Sequence, residues 1–202
     1  MNIQEPIILP ENIKYLSDIE NFTELPIGIF NKKVTNTGAT TLVLENKQDV
    51  ILISPTNNLI YNKIRQYPNK RCQYKLFAVN AGITTNDVIE YIKSCKGVQP
   101  VKLISTPDSL YKITAIKNVY QSFHLVIDEF HQLLNMVNNR EKAGLTVLSE
   151  FSKFTKYTFL SATPIQEDFL PFPLNEYDKI AHRLSKIPGS INHPFPYGQQ
   201  AW

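Results

Sequence analysis

Short apolar segments alternate with helical patterns along most of this chain, and this alternation limits its fold more than any other feature. The apolar segments are residues 49–54, 74–79, 101–105, 124–128 and 157–161. Between them, apolar residues recur at helical spacing, as over residues 57–66 and 84–94. Strands that alternate with helices form a parallel sheet with helices on both faces. The sequence therefore predicts an α/β fold with a mostly parallel central sheet.

Composition indicates an ordinary globular protein, with 43% hydrophobic and 19% charged residues. No apolar run is long enough to span a membrane, and Met1–Glu11 lacks the pattern of a signal peptide. Cys72 and Cys95 form no CxxC motif, which favours reduced thiols. We therefore expect a cytoplasmic protein without a membrane partner. Its Asn, Lys and Ile usage suggests a bacterial cell or a phage-infected host.

The net charge of +3 is mild, so it permits contact with nucleic acid without arguing for it. In the region with the most basic residues, these residues are spaced apart and not clustered. We therefore expect them on a solvent-exposed face. The region contains Lys63, Arg65, Lys70 and Arg71.

Small, polar or proline-containing turns follow several of the predicted strands. They lie at residues 37–41, 54–56, 105–108, 128–131 and 161–164. Because the carboxyl ends of parallel strands share one edge, where open α/β sheets bind ligands, we expect these turns to converge. Within the fourth turn, Asp128 has the chemistry to hold a hydrated Mg²⁺, and Glu129 could orient an attacking water.

In this order and spacing, the turns resemble those of the first RecA-like lobe of superfamily-two helicases of the DEAD/DEAH-box kind. Residues 128–131 resemble the DExH form of the second motif, and Ser161-Ala162-Thr163 resembles the Ser-Ala-Thr third motif. The resemblance covers residues 28–166. It implies a three-layer RecA-like P-loop domain that binds ATP and Mg²⁺.

The resemblance also implies a role for each matching residue. Asp128 would bind Mg²⁺, and Glu129 would position the hydrolytic water. His131 would link the nucleotide site to the third motif. Coupling of hydrolysis to movement between lobes would fall to Ser161, Ala162 and Thr163.

Two further elements resemble the family's nucleic-acid contacts. Pro55-Thr56 with Leu59 resembles a Pro-Thr-x-x-Leu element, and Thr106-Pro107 with Leu110 resembles a Thr-Pro element. The resemblance implies that single-stranded DNA or RNA is contacted along its sugar and phosphate groups. The residues concerned are Pro55, Thr56, Thr106, Pro107 and Asp108.

The phosphate loop departs from the Walker A pattern GxxxxGK[ST]. Gly38 matches the second glycine, and Thr40 stands where the Mg²⁺-binding hydroxyl belongs, but Lys33 replaces the first glycine and Ala39 replaces the lysine. The resemblance still implies that nucleotide binds at Gly38, Ala39, Thr40 and Thr41, with Mg²⁺ between Thr40 and Asp128. Loss of one strong donor to the phosphates lowers rates by about 10²–10³.

Three explanations of Ala39 stay open. Lys32 or Lys33 could supply the charge from another direction. Gly-Ala-Thr-Thr could be a working variant of a related branch. Alternatively, the lobe could have lost hydrolysis and kept a binding role, with phosphate still held by loop amides.

We divide the chain into an N-terminal segment (residues 1–27), the RecA-like lobe (28–166) and a proline-rich C-terminal arm (167–202). One short helix is predicted near residues 11–22 and another near 176–184. The arm is too short for the second RecA-like lobe that supplies arginine fingers. We therefore expect that lobe in cis, if the chain is a fragment, or in trans.

The leading hypothesis is a helicase-type, nucleic-acid-dependent NTPase lobe that cannot unwind without its second lobe. The alternative is a catalytically inactive helicase-like binding or structural module, which Ala39 favours. A P-loop kinase or GTPase explains the motifs less well, since it leaves Ser161–Thr163 unexplained.

Overall fold

A computed structural model describes residues 7–9, 13–32, 36–67, 74–139, 141–162 and 181–186. In this part of the chain, eight strands form one sheet, and every pairing between neighbours is parallel. They are β1 (Ile7–Leu9), β2 (Gly28–Asn31), β3 (Val50–Ile53), β4 (Leu76–Val79), β5 (Lys102–Ser105), β6 (His124–Ile127), β7 (Lys156–Ser161) and β8 (Ala181–Lys186). Their order across the sheet is β1-β8-β2-β7-β6-β3-β5-β4.

Seven described α-helices connect these strands. They are α1 (Ala39–Glu45), α2 (Asn57–Gln66), α3 (Thr85–Cys95), α4 (Leu110–Thr114), α5 (Val119–Ser122), α6 (Phe130–Asn139) and α7 (Glu141–Glu150). Short 3-10 turns lie at Leu16–Asp18, Pro107–Ser109 and Phe151–Lys153.

The sheet separates two hydrophobic cores because side chains alternate between its faces. In β3, Val50 and Leu52 pack with α1 and α2, whereas Ile51 and Ile53 pack with α3 to α7. All four side chains are buried, as expected of a parallel strand covered on both faces. The predicted α/β fold with three layers and a parallel sheet is confirmed.

Local signals explain the two helices that the sequence predicts best. The Thr56 side chain caps α2 by accepting a hydrogen bond from the Leu59 amide at 3.3 Å. A capping box joins Thr84 and Asp87 at the start of α3. Such caps typically contribute about 1 kcal/mol each. The cap of α2 also places Thr56 beside the sheet edge where the predicted site lies.

A buried lysine anchors the other end of the phosphate-loop helix. The Lys102 ammonium donates to the Val43 carbonyl at 2.9 Å, to Asn46 Oδ1 at 2.7 Å and to the Gln48 carbonyl at 2.8 Å. Val43 lies in α1, so a cation on β5 holds the carboxyl end of this helix, where the helix dipole favours positive charge. Lys102 therefore holds α1 in position at the end of the helix that lies away from the phosphate loop.

Two helix predictions are corrected. Of the helix predicted near residues 11–22, the described part contains one 3-10 turn, Leu16–Asp18. Where a helix was predicted near residues 176–184, Ala181–Lys186 is a strand that pairs with β1 and β2. Strand pairing is a tertiary contact that overrides local propensity. The domain boundaries stay a prediction, although β1 and β8 come from the segments placed outside the lobe.

Within the described residues, no helix has the length and apolar character needed to cross a bilayer. Cys95 is a buried free thiol, and Cys72 lies outside the described residues.

Candidate functional site

The strand register brings the predicted turns to one edge of the sheet. Ile53, at the end of β3, pairs with both Ser105 and Ile127, and Asn31 pairs with Ser161. Since all these residues end their strands, the turns that follow leave the sheet in the same direction. The expected convergence is confirmed for the described turns, whereas Thr163 and Pro164 lie outside the described residues.

A cleft of about 600 Å³ opens at this edge between the phosphate loop and the end of β6. It is lined by Lys14, Tyr15, Lys32, Asn36, Thr37, Gly38, Ala39, Thr40, Thr41, Leu44, Lys63, Gln66, Tyr67, Asp128, Glu129 and Ala162. All four phosphate-loop residues predicted to bind nucleotide are among them, as are both acidic residues of the DExH turn. The volume lies within the usual range for small-molecule sites.

Gly38 is favoured by both its backbone conformation and the space around it. Its φ of 76° lies in the left-handed region, which glycine adopts without steric cost. A Cβ atom here would also approach Cβ and Cδ1 of Tyr15 to 3.3 Å. The Leu16 amide donates to the Thr37 carbonyl at 2.9 Å. The N-terminal segment is thus packed directly on the phosphate loop.

Asp128 is a buried carboxylate in the wall of the cleft, 4% exposed. Its Oδ2 atom accepts hydrogen bonds from the Thr40 hydroxyl at 3.2 Å and from the Lys63 ammonium at 2.9 Å. The Lys32 ammonium lies 3.8 Å from its Oδ1 atom. Burial raises the pKa of Asp128, but the two ammonium groups and these hydrogen bonds outweigh burial and hold the pKa below its usual value. Asp128 therefore stays charged.

Glu129 is held in a strained position beside it. Its φ of 52° lies in the left-handed region, which costs a residue other than glycine about 1–2 kcal/mol. Its amide donates to Asp128 Oδ1 at 3.1 Å. Its Oε1 atom lies 3.9 Å from the Lys32 ammonium, and its Oε2 atom lies 3.5 Å from Nδ1 of His131. A strained backbone conformation of this kind persists only where the surrounding contacts hold it in place, and such conformations are common at functional sites.

His131 connects the ends of two neighbouring strands. Its Nδ1 atom lies 3.5 Å from Glu129 Oε2 and 3.4 Å from the Ser161 hydroxyl oxygen. The first partner follows β6, and the second ends β7. The DExH turn and the third motif are therefore in contact through one imidazole, which is the arrangement that the predicted coupling role requires.

Two buried hydroxyl oxygens at the sheet edge have no hydrogen-bond partner within the described residues, Thr37 Oγ1 and Ser54 Oγ. Thr37 lines the cleft and is 4% exposed. Buried polar groups are rarely left without a partner, but the Thr37 oxygen is enclosed by protein and is not open to the cleft.

The predicted nucleic-acid residues mostly line a second cavity, of about 540 Å³, beside the first helical turn of α2. Its lining is Pro55, Thr56, Asn57, Asn58, Ala81, Thr106, Asp108 and Ser109. Pro107 is buried beneath this surface. Two motifs that are 50 positions apart, at Thr56 and Thr106, are therefore brought to one surface.

Sequence reasoning missed part of the cleft. Lys63 was expected on a solvated face, but its side chain is 22% exposed and paired with Asp128, so that expectation is wrong. Arg65 is exposed as expected. Lys70 and Arg71 lie outside the described residues. Tyr15 also lines the cleft, and no motif in the sequence indicated it.

A parallel sheet with the DExH turn, the phosphate loop and Ser161-Ala162 at its carboxyl edge defines a RecA-like α/β lobe. Residues 30–169 match the family model of DEAD/DEAH box helicases, and the chain belongs to this family. The matched span begins in β2 and extends past β7, which supports the predicted first RecA-like lobe. No curated protein matches the chain.

Proposed function

We propose that this chain is a nucleic-acid-dependent NTPase lobe that binds ATP with Mg²⁺ in the cleft and single-stranded nucleic acid at the second cavity. The observation that carries the proposal is the hydrogen bond between Thr40 and Asp128. It joins the phosphate loop to the DExH turn across 88 sequence positions. Unwinding would require a second RecA-like lobe, in cis or in trans.

The oxygen atoms available in the cleft are suited to a Mg²⁺ ion that is bound together with a nucleotide. Within the described residues, no group of three or more His, Cys, Asp or Glu side chains could hold a metal ion without help. Magnesium instead takes one or two protein oxygens and fills its octahedron with phosphates and waters. The Thr40 hydroxyl and the Asp128 carboxylate would supply the protein oxygens.

Glu129 is the residue best placed to orient a water for attack on the terminal phosphate. Its carboxylate lines the cleft next to Asp128 and is held between Lys32 and His131. Bound Mg²⁺ would neutralise charge that develops on the phosphates. The contact of His131 with Ser161 would carry a change at Glu129 to the third motif.

The second cavity offers hydroxyl and amide groups to a nucleic-acid backbone, and Asp108 is the one acidic residue in its described lining. Asn57 and Asn58 lie exposed in the first turn of α2, beside the Thr56 cap. Hydroxyl and amide groups contact sugar and phosphate without reading bases. We therefore expect binding with little sequence preference, and DNA and RNA both remain candidates.

The second candidate function is a catalytically inactive binding or structural module on the same fold. Ala39 favours it, because this residue opens α1 with a methyl group where the Walker A motif has a lysine. Both candidates predict a folded lobe, but they differ in whether bound nucleotide is hydrolysed.

Titration calorimetry with ATP and Mg²⁺ tests the proposal directly. We expect Mg²⁺-dependent ATP binding, together with an upward thermal shift at millimolar nucleotide. Asp128→Asn should remove the Mg²⁺ dependence. Neither heat nor a thermal shift in the wild-type chain would overturn the proposed function. Binding without hydrolysis, even with nucleic acid and a second lobe present, would support the inactive module.

A further inference from the structure

We propose that Lys63, on α2, is the phosphate-binding cation of this cleft and takes over the role of the lysine that Ala39 replaces. The proposal rests on the proposed function and names the residue on which it depends. A Walker A lysine reaches the phosphates from the loop itself, whereas Lys63 would reach them from the neighbouring helix.

The position of its ammonium group is the first argument. Lys63 lines the cleft together with Ala39 and Thr40. Its Nζ atom lies 2.9 Å from Oδ2 of Asp128, the same oxygen that the Thr40 hydroxyl contacts. The ammonium therefore already lies beside the two groups that would hold Mg²⁺, where the terminal phosphates of a bound nucleotide would also lie.

Charge compensation is the second argument. A carboxylate as buried as Asp128 needs a cation to remain charged. Lys63 supplies that cation together with Lys32. Mg²⁺ held at Asp128 would repel the ammonium from Oδ2. The flexible four-carbon stem of a lysine allows a shift towards the anionic phosphates without any change of the backbone.

The environment separates Lys63 from Lys32. Lys32 lies 3.8 Å from Asp128 and 3.9 Å from Glu129, and its side chain is 9% exposed. It is therefore placed between the two carboxylates and holds them together. The Lys63 side chain has 22% exposure and one carboxylate partner in the described structure, so of these two ammonium groups that of Lys63 is the freer to move into the cleft.

Binding of three probes tests the assignment. Wild type and Lys63→Met are titrated with Mg²⁺-ATP, with Mg²⁺-tripolyphosphate and with AMP. Loss of a charge-assisted contact to phosphate should weaken binding of the first two by about 10- to 100-fold and leave AMP binding unchanged. Arg65→Met is the matched control, because Arg65 is exposed on the same helix and does not line the cleft. Its affinities should equal those of wild type.

A rescue variant makes the test specific for charge. Ala39→Lys in the Lys63→Met background restores a cation from the loop and should recover most of the lost Mg²⁺-ATP affinity. If Lys63→Met does not fold, Lys63→Gln replaces it, since its amide can still donate to Asp128.

The outcomes separate the two proposals. Wild-type affinity for Mg²⁺-ATP in the Lys63 variant, or a double variant that binds no better than Lys63→Met alone, overturns the role of Lys63 while the proposed function stands. A wild-type chain that binds neither Mg²⁺-ATP nor Mg²⁺-tripolyphosphate overturns the proposed function and this inference with it.

Discussion

The hydroxyl of Thr40 donates a hydrogen bond of 3.2 Å to Oδ2 of Asp128. Thr40 lies in the first turn of α1, and Asp128 follows β6, so this contact closes the cleft on the side of the phosphate loop. In the proposed function, Mg²⁺ would lie between these two oxygens.

Thr40→Val should reduce the enhancement of ATP binding by Mg²⁺ about tenfold, since it removes one oxygen ligand of an ion that prefers oxygen ligands. Thr40→Ser keeps the hydroxyl and should behave as wild type. Calorimetric titrations with and without Mg²⁺ measure the effect. Equal Mg²⁺ enhancement in the valine and serine variants would argue against a metal ligand at Thr40.

Glu129→Gln should retain Mg²⁺-ATP binding and slow hydrolysis by about 10²–10⁴-fold, the usual contribution of a group that accepts a proton from the attacking water. Phosphate release with nucleic acid and the second lobe present is the measurement. Glu90→Gln, an exposed change on α3, is the control and should leave the rate unchanged. A glutamine variant that hydrolyses ATP at the wild-type rate rules out this role for Glu129.

Asn58→Glu should weaken binding of a single-stranded oligonucleotide about tenfold, because a second carboxylate in the cavity, besides Asp108, increases the repulsion of phosphate. Asn62→Glu adds the same charge to an exposed position of α2 that does not line the cavity, and should have a smaller effect. Fluorescence anisotropy measures both variants at one salt concentration. Comparable affinities in the two variants would place the nucleic acid elsewhere.

Lys102→Met should lower the free energy of unfolding by about 2–4 kcal/mol, since the carbonyls of Val43 and Gln48 lose a charged donor. Lys47→Met, an exposed change in the adjoining loop, should alter it by less than about 0.5 kcal/mol. Urea unfolding followed by circular dichroism compares the two. Equal stability of both variants would mean that Lys102 does not anchor α1.

His124 should make stability depend on pH. Burial and the nearby Lys156 ammonium lower the pKa of His124 to about 4 from an ordinary value of 6.5. Between these values the unfolded chain binds more protons than the folded one, so stability falls as pH falls from 6.5 to 4. The loss amounts to about 3 kcal/mol at full extent. His124→Gln should remove this part of the pH dependence.

Urea unfolding at several pH values tests the histidine prediction. His124→Gln is expected to be less stable at neutral pH, because Nε2 of His124 lies 2.8 Å from the Thr158 hydroxyl oxygen. The decisive quantity is therefore the slope of stability with pH and not its absolute value. An unchanged slope in the variant would assign the dependence to other groups.

The sequence predicted the central strands well because their apolar runs are short, bounded and unambiguous. It predicted α2 at its observed bounds, since Thr56 caps it and apolar residues follow at helical spacing. It failed at Ala181–Lys186, where pairing with β2 decides the conformation and no local pattern reports that pairing. The same limit applies to the N-terminal segment, of which one 3-10 turn is observed in place of the predicted helix.

For the cleft, motifs predicted the residues that follow strands but not those contributed by helix surfaces. Asp128 follows a predicted strand, and Thr40 is assigned from the resemblance to the Walker A pattern. Lys63 is one of several polar residues on α2, and only the packing of that helix on the sheet decides which of them meets Asp128. The spacing of apolar residues distinguishes the buried face of a helix from its polar face. The α2 residues that line the cleft lie at the boundary between these two faces, which the spacing does not resolve.

The strand order also sets when this lobe can become functional during its synthesis. Gly28 pairs with Thr158, and Ile7 pairs with Leu184. The first strands of the chain therefore cannot pair until partner strands far along the chain have been synthesised. A ribosome adds residues from the N-terminus at about 5–20 per second. Until β7 has emerged, Lys32 and the phosphate loop have no fixed place beside Asp128. In the proposed function, a nascent chain would therefore acquire nucleotide affinity late and abruptly.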